Sequence, residues 1–246
     1  MLCFILKRAN MILQKLSAQE ILNALPEQCF NVIVEDCLPS TNDYLLNLAS
    51  TSPTILPKTA VLAETQTNGK GRQGRNWVSP AGNLYLSLYW PFKCSLEDLY
   101  GLSLVVGIAI ARVLKNNGLH DVQLKWPNDI YWQNHKMGGI LIETKSNKFG
   151  VIDTIIGIGL NIVDMSSQSH NIDQKFVSLE NALERTISLN LLVPQLLIEL
   201  NDILTQFTQL GFDAFVAEWQ SLDAKIASKS GDNLDGIEQI TSPKNN

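Results

Sequence analysis

Between residues 59 and 162 the sequence strings together six strand-like segments and only one long helical one. TAVLAET (59–65), LYLSLYW (84–90), VQLKW (122–126), DIYW (129–132), GILIET (139–144) and an apolar run over 151–162 alternate or stay apolar over strand lengths. NVIVED (31–36) adds another upstream. A doubly wound parallel sheet needs a crossover, usually a helix, between successive strands. Strands that follow one another directly point instead to an α+β fold, a mixed β-sheet with helices packed on one side of it.

The helices are read from caps and period. Ser17 and Glu20 form an S-x-x-E capping box for a short helix through Leu25. Ser40-Thr41-Asn42 stands before YLLNLA as a polar helix start. Residues 96–116 read as one long helix, and 191–210 and 213–222 as two late ones. Pro91 is expected to end the strand at 84–90, and 129–132 and 139–144 to form a hairpin through Asn134 and His135. The chain of 246 residues fits one full domain and an appendage. We divide it into an N-terminal extension with a short helix (1–30), a main domain (31–222) and a polar, turn-rich tail (223–246).

Composition narrows the function classes. A net charge of −5 argues against nucleic acid binding over the whole surface. Cys3, Cys29, Cys37 and Cys94 are scattered without C-x-x-C spacing, so no disulfide framework or zinc site is expected, and a reducing cytoplasm fits. The strongest apolar run, Leu99–Leu114, is too short to span a membrane and contains Tyr100 and Ser103, as a buried core helix does. The opening MLCFILKRAN places apolar residues before basic ones, the reverse of a signal peptide, and Met11 is an alternative start.

The average charge hides a basic stretch. From Glu64 to Glu97 there is no other acid, and Lys70, Arg72 and Arg75 alternate with Gly69, Gly71 and Gly74. The G-x-G-x-x-G match is not a dinucleotide fingerprint, because Asn76-Trp77-Val78-Ser79-Pro80 and a strand follow where a helix is required. It also lacks the Lys-Ser/Thr ending of a P-loop. Glycines let backbone N–H groups approach an anion, and the cations neutralise it, so the loop suits a phosphate or carboxylate. A plain solvated loop is the alternative.

Four further groups each allow two readings. Ser40-Thr41-Asn42 is a helix cap or a set of partners for a neutral polar ligand. Lys125-Trp126-Pro127-Asn128-Asp129 is an Asx-type turn or a phosphate contact with magnesium-linked water. Lys136, before Met137-Gly138-Gly139, is a surface lysine or a point charge aimed at an anion. Gly157-x-Gly159-x-Asn161 is a tight packing crossover or a strand cleared for a flat ligand.

Taken together, these pieces resemble one family. STN (40–42), ETQTNGKGRQGRNWVSP (64–80), NLYLSL (83–88), LKWPNDIY (124–131), HKMGGILIET (135–144) and IIGIGLNI (155–162) stand in the order and spacing of biotin–protein ligases, from about Asp36 to Leu222. The resemblance implies the catalytic fold shared with lipoate ligases. It also implies a two-step reaction with ATP, biotin and Mg2+. Biotin carboxylate attacks the α-phosphorus, giving biotinyl-5′-AMP and pyrophosphate. A lysine of the biotin carboxyl carrier protein of acetyl-CoA carboxylase then displaces AMP. Lipoate or octanoate ligation, or non-catalytic binding of biotin or its adenylate, are the alternatives.

Carried over by position, Ser40, Thr41, Asn42 and Gln66 resemble the groups that bind the biotin head, and Lys70, Gly71 and Arg72 the loop that folds over it. Lys136 is similar to the lysine at the reacting carboxylate and α-phosphate, with Arg72 and Lys70 as further catalytic cations. Arg75, Trp77, Lys125, Asn128, Asp129, Gly139 and Asn161 resemble the nucleotide shell, with Trp77 over adenine. No direct protein-held metal is implied, although Asp129 could touch Mg2+. The glycine loop is expected to be mobile until ligand binds.

Three departures stand out. Lys70 replaces an arginine common in relatives, which keeps the charge and loses the planar fork. About 35 residues before the catalytic region leave no room for the winged helix-turn-helix of bifunctional relatives, so no nucleic acid partner is expected. By this resemblance, 223–246 is expected to be a stub of the usual SH3-like domain. The expected protein is cytoplasmic, without membrane contact, and a monomer or homodimer.

Overall fold

The computed structural model describes residues 14–26, 29–51, 56–146, 150–165 and 175–224. Its centre is a seven-stranded mixed sheet made of β1 (Asn31–Leu38), β2 (Thr59–Gln66), β3 (Leu84–Phe92), β4 (Val122–Lys125), β5 (Asp129–Trp132), β6 (His135–Ser146) and β7 (Ile152–Leu160). The order is β1-β2-β3-β7-β6-β5-β4. Only β1 and β2 are parallel, and the helix between them makes that crossover; every other neighbour is antiparallel.

Alternate residues divide the strands between two cores. Ala60, Leu62, Leu86, Leu88, Ile156, Ile158, Leu160 and Ile140 face a large back core. That core is filled by α1 (Ala18–Asn23), α3 (Leu102–Asn116), α5 (Leu189–Leu210) and α6 (Val216–Leu222). Val61, Ala63, Tyr89 and Ile155 face a smaller front core covered by α2 (Thr41–Thr51) through Leu45. The helices are therefore not all on one side: α2 takes the front face because its first turn must meet the strand ends there.

Local departures from expectation have physical reasons. The capping box at α1 is half-formed: Ser17 Oγ accepts from Glu20 N, but Ser17 N donates to Asn190 Oδ1 at 3.0 Å. The β3 strand runs through Pro91, because its register with β2 ends at Leu88 and no partner on that side needs the missing N–H. The helix expected over 96–116 breaks at Gly101, whose φ of 81° is left-handed; a short turn over Glu97–Leu99 precedes α3. β6 begins at His135 rather than Gly139, because Gln133 and Asn134 both take positive φ and make a tight hairpin turn.

Late in the chain, α5 starts at Leu189, and a short turn over Phe212–Phe215 precedes α6. A short α4 (Leu179–Leu183), capped by Ser178, was not anticipated. Arg112 of α3 ties α3 to α5 and α6, donating to Glu199 at 2.8 Å and to both oxygens of Glu218 at 2.8 and 2.6 Å. It holds the Glu218 carboxyl below its ordinary range. No helix among the described residues is long and apolar enough to cross a membrane. The Met11 start and all of the 223–246 stub except Asp223 and Ala224 lie outside the described residues.

Candidate active site

On the front face the apolar side chains stop short of the strand ends. Paired across β3, β7 and β6, the rows run Tyr89–Ile155–Glu143, then Ser87–Gly157–Leu141, then Tyr85–Gly159–Gly139. Two glycines side by side in the last row leave a bare floor. The Trp77 ring rests on it: a Cβ on Gly159 would lie 2.7 Å from that ring, and one on Gly139 3.4 Å. A Cβ on Gly157 would lie 2.3 Å from Asn42 Oδ1. The glycine reading that cleared space for a ligand is thus half of the answer, because Asn42 and Trp77 use that space.

One end of the cleft is neutral and densely hydrogen-bonded. Ser40, Thr41 and Asn42 are buried at the start of α2. Ser40 caps the helix, while Thr41 and Asn42 turn to the sheet. Gln66 Oε1 accepts from Thr41 N at 2.8 Å, and its Nε2 donates to Ser79 Oγ at 3.0 Å. Both readings of Ser40-Thr41-Asn42, cap and polar cluster, are therefore true of different residues.

The other end is cationic. Lys136 is 7% exposed, with Nζ 2.8 Å from Asp129 Oδ1 and 5.4 Å from the Trp77 ring centre. Its backbone is pinned on the side away from β5: Lys136 N donates to Lys175 O, and Val177 N donates to Lys136 O, each at 3.0 Å. A lysine on a free surface would have neither feature.

The basic loop lies across the mouth. Gly71 N to Arg75 O (2.7 Å) and Trp77 N to Gly69 O (2.8 Å) fold it into a small hairpin. Arg72 Nη1 donates to Asn128 Oδ1 at 3.1 Å, and Asn128 Nδ2 donates to Ile140 O. Lys70 bonds to Asp43 of α2, a contact that raises the lysine pKa. The loop thus reaches both walls of the cleft. Asp43 supplies the acid that the local sequence lacks.

Ser40, Thr41, Asn42, Gln66, Lys70, Gly71, Arg72, Arg75, Trp77, Asn128, Asp129, Lys136 and Gly139 all line this one cleft. Lys125 and Asn161 do not line it. Lys125 is exposed, with Nζ 5.0 Å from the Tyr131 ring centre. Asn161 is buried, its Nδ2 3.4 Å from Lys136 O, so it supports the lysine from behind. Sequence reading missed Tyr85 in the lining, and Ser87 and Glu143 behind it. Tyr85 sits in the alternation of β3, a signal that was available. Burial raises its pKa, so its hydroxyl stays neutral and donates to Pro80 O.

No group of three or more His, Cys, Asp or Glu that could hold a metal occurs among the described residues. Asp129 is the ion-pair partner of Lys136.

The model of the biotin/lipoate A/B protein ligase family matches residues 34–161, which include this whole cleft. The bifunctional ligase/repressor BirA of Salmonella typhimurium is 37% identical over 194 residues, covering 78% of this chain and 59% of that protein. The biotin–acetyl-CoA-carboxylase ligase of Paracoccus denitrificans is 36% identical over 125 residues, 50% of this chain and 51% of its own. The chain therefore spans between half and three-fifths of the length of these relatives. In fold it is similar to the biotin protein ligase from Aquifex aeolicus in complex with biotin and ATP. That match has a TM-score of 0.67 and 26% identity, and it covers 79% of this chain and 78% of the other.

Proposed function

The chain belongs to the biotin/lipoate A/B protein ligase family, and from that premise we propose that it attaches biotin to a lysine of a biotin carboxyl carrier protein through biotinyl-5′-AMP. The observation that carries this reading is the polarity of the cleft. A neutral hydrogen-bonding end (Thr41, Gln66) and a buried cation (Lys136) share one trough. That arrangement suits a molecule with an uncharged polar head and a carboxylate tail. Lipoate and octanoate carry apolar heads, which offer no hydrogen-bond donor to the neutral polar end.

In the first step a biotin carboxylate oxygen attacks the α-phosphorus of ATP, and the bond to pyrophosphate breaks. Two anions must meet, so the main task is electrostatic. Lys136, oriented by Asp129, neutralises charge between them. Arg72 and Lys70 close the mouth over the adenylate, exchanging Asn128 and Asp43 for ligand oxygens. Arg75, Trp77, Asn128, Asp129 and Gly139 form the nucleotide side. In the second step the acceptor lysine amine attacks the acyl carbon, and AMP leaves. No side-chain nucleophile is required.

Magnesium enters as the complex of ATP, in keeping with the lack of a cluster of metal-binding side chains among the described residues. The acceptor is the carrier protein of acetyl-CoA carboxylase, and the reaction takes place in the cytoplasm. The test of the first step is biotin-dependent exchange of labelled pyrophosphate into ATP. Exchange that needs biotin supports the reading. Exchange driven by lipoate or octanoate and not by biotin overturns it.

A further inference from the structure

Behind the neutral end of the cleft, two side chains outside its lining decide which way its hydrogen bonds point. We propose that Ser87 and Glu143 are positioning residues that make Thr41 a dedicated acceptor for a ligand N–H, an inference that rests on the biotin reading above.

Glu143 is half-buried on β6, with Oε2 2.8 Å from Asn42 Nδ2; Leu141 O is 3.3 Å from the same nitrogen. A carboxylate and a carbonyl only accept. The Asn42 carboxamide must therefore turn its NH2 towards β6 and its Oδ1 towards β3. There Ser87 Oγ, fully buried, stands 2.5 Å from that oxygen and gives it its only proton.

Ser87 Oγ is also 2.8 Å from Thr41 Oγ1. With its own proton committed, Ser87 cannot donate to Thr41, whose hydroxyl proton goes to Ser87 Oγ or to Gln66 Oε1, 3.2 Å away. From the other side, Gln66 is fixed with Oε1 towards Thr41, because its Nε2 donates to Ser79 Oγ, which in turn donates to Trp77 O. Gln66 thus cannot donate to Thr41. Neither Ser87 nor Gln66 then offers a proton to Thr41 Oγ1, which lines the cleft, so its lone pairs stay available and its proton does not. Were Asn42 reversed, Ser87 would donate to Thr41 and occupy one of them. The chain of bonds from Glu143 through Asn42 and Ser87 to Thr41 therefore selects a ligand that offers an N–H at this point, as a ureido ring does.

The test is calorimetric binding of biotin, and of biotin methylated on each ureido nitrogen in turn, to the wild type, Ser87→Ala, Glu143→Leu and Glu143→Gln, with thermal melting as the folding check. The wild type prefers biotin to the analogue whose methyl removes the N–H at Thr41. Glu143→Leu, which frees Asn42 to reverse, binds biotin about tenfold more weakly, the effect of one net hydrogen bond, and loses much of that preference; Ser87→Ala, in which Gln66 Oε1 still takes the Thr41 proton, keeps it. Glu143→Gln keeps an acceptor oxygen and stays near the wild type. Equal losses for biotin and analogue in Glu143→Leu, leaving their ratio unchanged, mean a packing role and overturn the inference while the biotin reading stands. A wild type that binds no biotin overturns both.

Discussion

The two faces of the sheet are built from the same strands and differ in what alternate residues carry. On the back, every second residue is a large aliphatic packed under four helices, and the cation there, Arg112, has all its charge met by Glu199 and Glu218. On the front, apolar packing under α2 gives way within two residues to serine, tyrosine and glycine, and the cation there, Lys136, has a single carboxylate. Arg112 bridges helices, and three of its nitrogens are already engaged. Lys136 is held by one partner and by its pinned backbone, so it can still direct its remaining N–H groups to a ligand anion. The difference between a saturated cation and an available one is in their partners and not in their burial alone.

Exchanging parts of the two faces should separate stability from activity. Lys136→Ala has the largest expected effect: adenylate formation falls by about a hundredfold or more, as when a group aimed at developing charge is removed. The variant still folds by circular dichroism. Unchanged pyrophosphate exchange would remove Lys136 from its role. Gly159→Ala comes next. Its Cβ must displace the Trp77 ring, so ligand affinity drops by about tenfold, roughly one hydrogen bond or contact set, while the back core and the melting temperature are kept.

Arg112→Ala should do the opposite. It leaves Glu199 and Glu218 facing each other without a cation, at partly exposed positions, and lowers Tm by about 2–4 °C, equivalent to about 1 kcal/mol. Turnover per folded molecule is retained. A loss of activity with unchanged Tm would mean that the two faces are coupled. The smallest effect concerns the loop. Lys70–Asp43 and Arg72–Asn128 tie it to both walls, and each tie is weak. Biotin with ATP should slow proteolytic cleavage near Arg72, and equal cleavage rates with and without them would contradict a ligand-closed loop.

The back face was the more legible of the two. Alternation in TAVLAET and LYLSLYW gives strand and facing at once, because a buried side must repeat every second residue. Boundaries set by contacts far along the chain were not visible. Gly101 breaks the 96–116 helix where Phe212 packs against it, and Pro91 stays in its strand because β2 has already ended. On the front, most residues singled out from local motifs do line the cleft, while Tyr85, which also lines it, was missed. Those that act from behind it were missed as well. Ser87 and Glu143 look like ordinary members of their strands, and their part depends on which way Asn42 turns. Lys125 and Asn161 are the reverse case: they sit inside good motifs and do not line the cleft.

The claim that the front face joins a polar-headed carboxylate to ATP and then to protein is tested most directly by transfer of labelled biotin to a purified carrier domain. Lipoate and octanoate are run beside it. Label fixed on the acceptor lysine, dependent on ATP and specific for biotin, is the result expected. Transfer of lipoate or octanoate in its place, or biotinyl-5′-AMP that forms and never reaches the carrier, would contradict it.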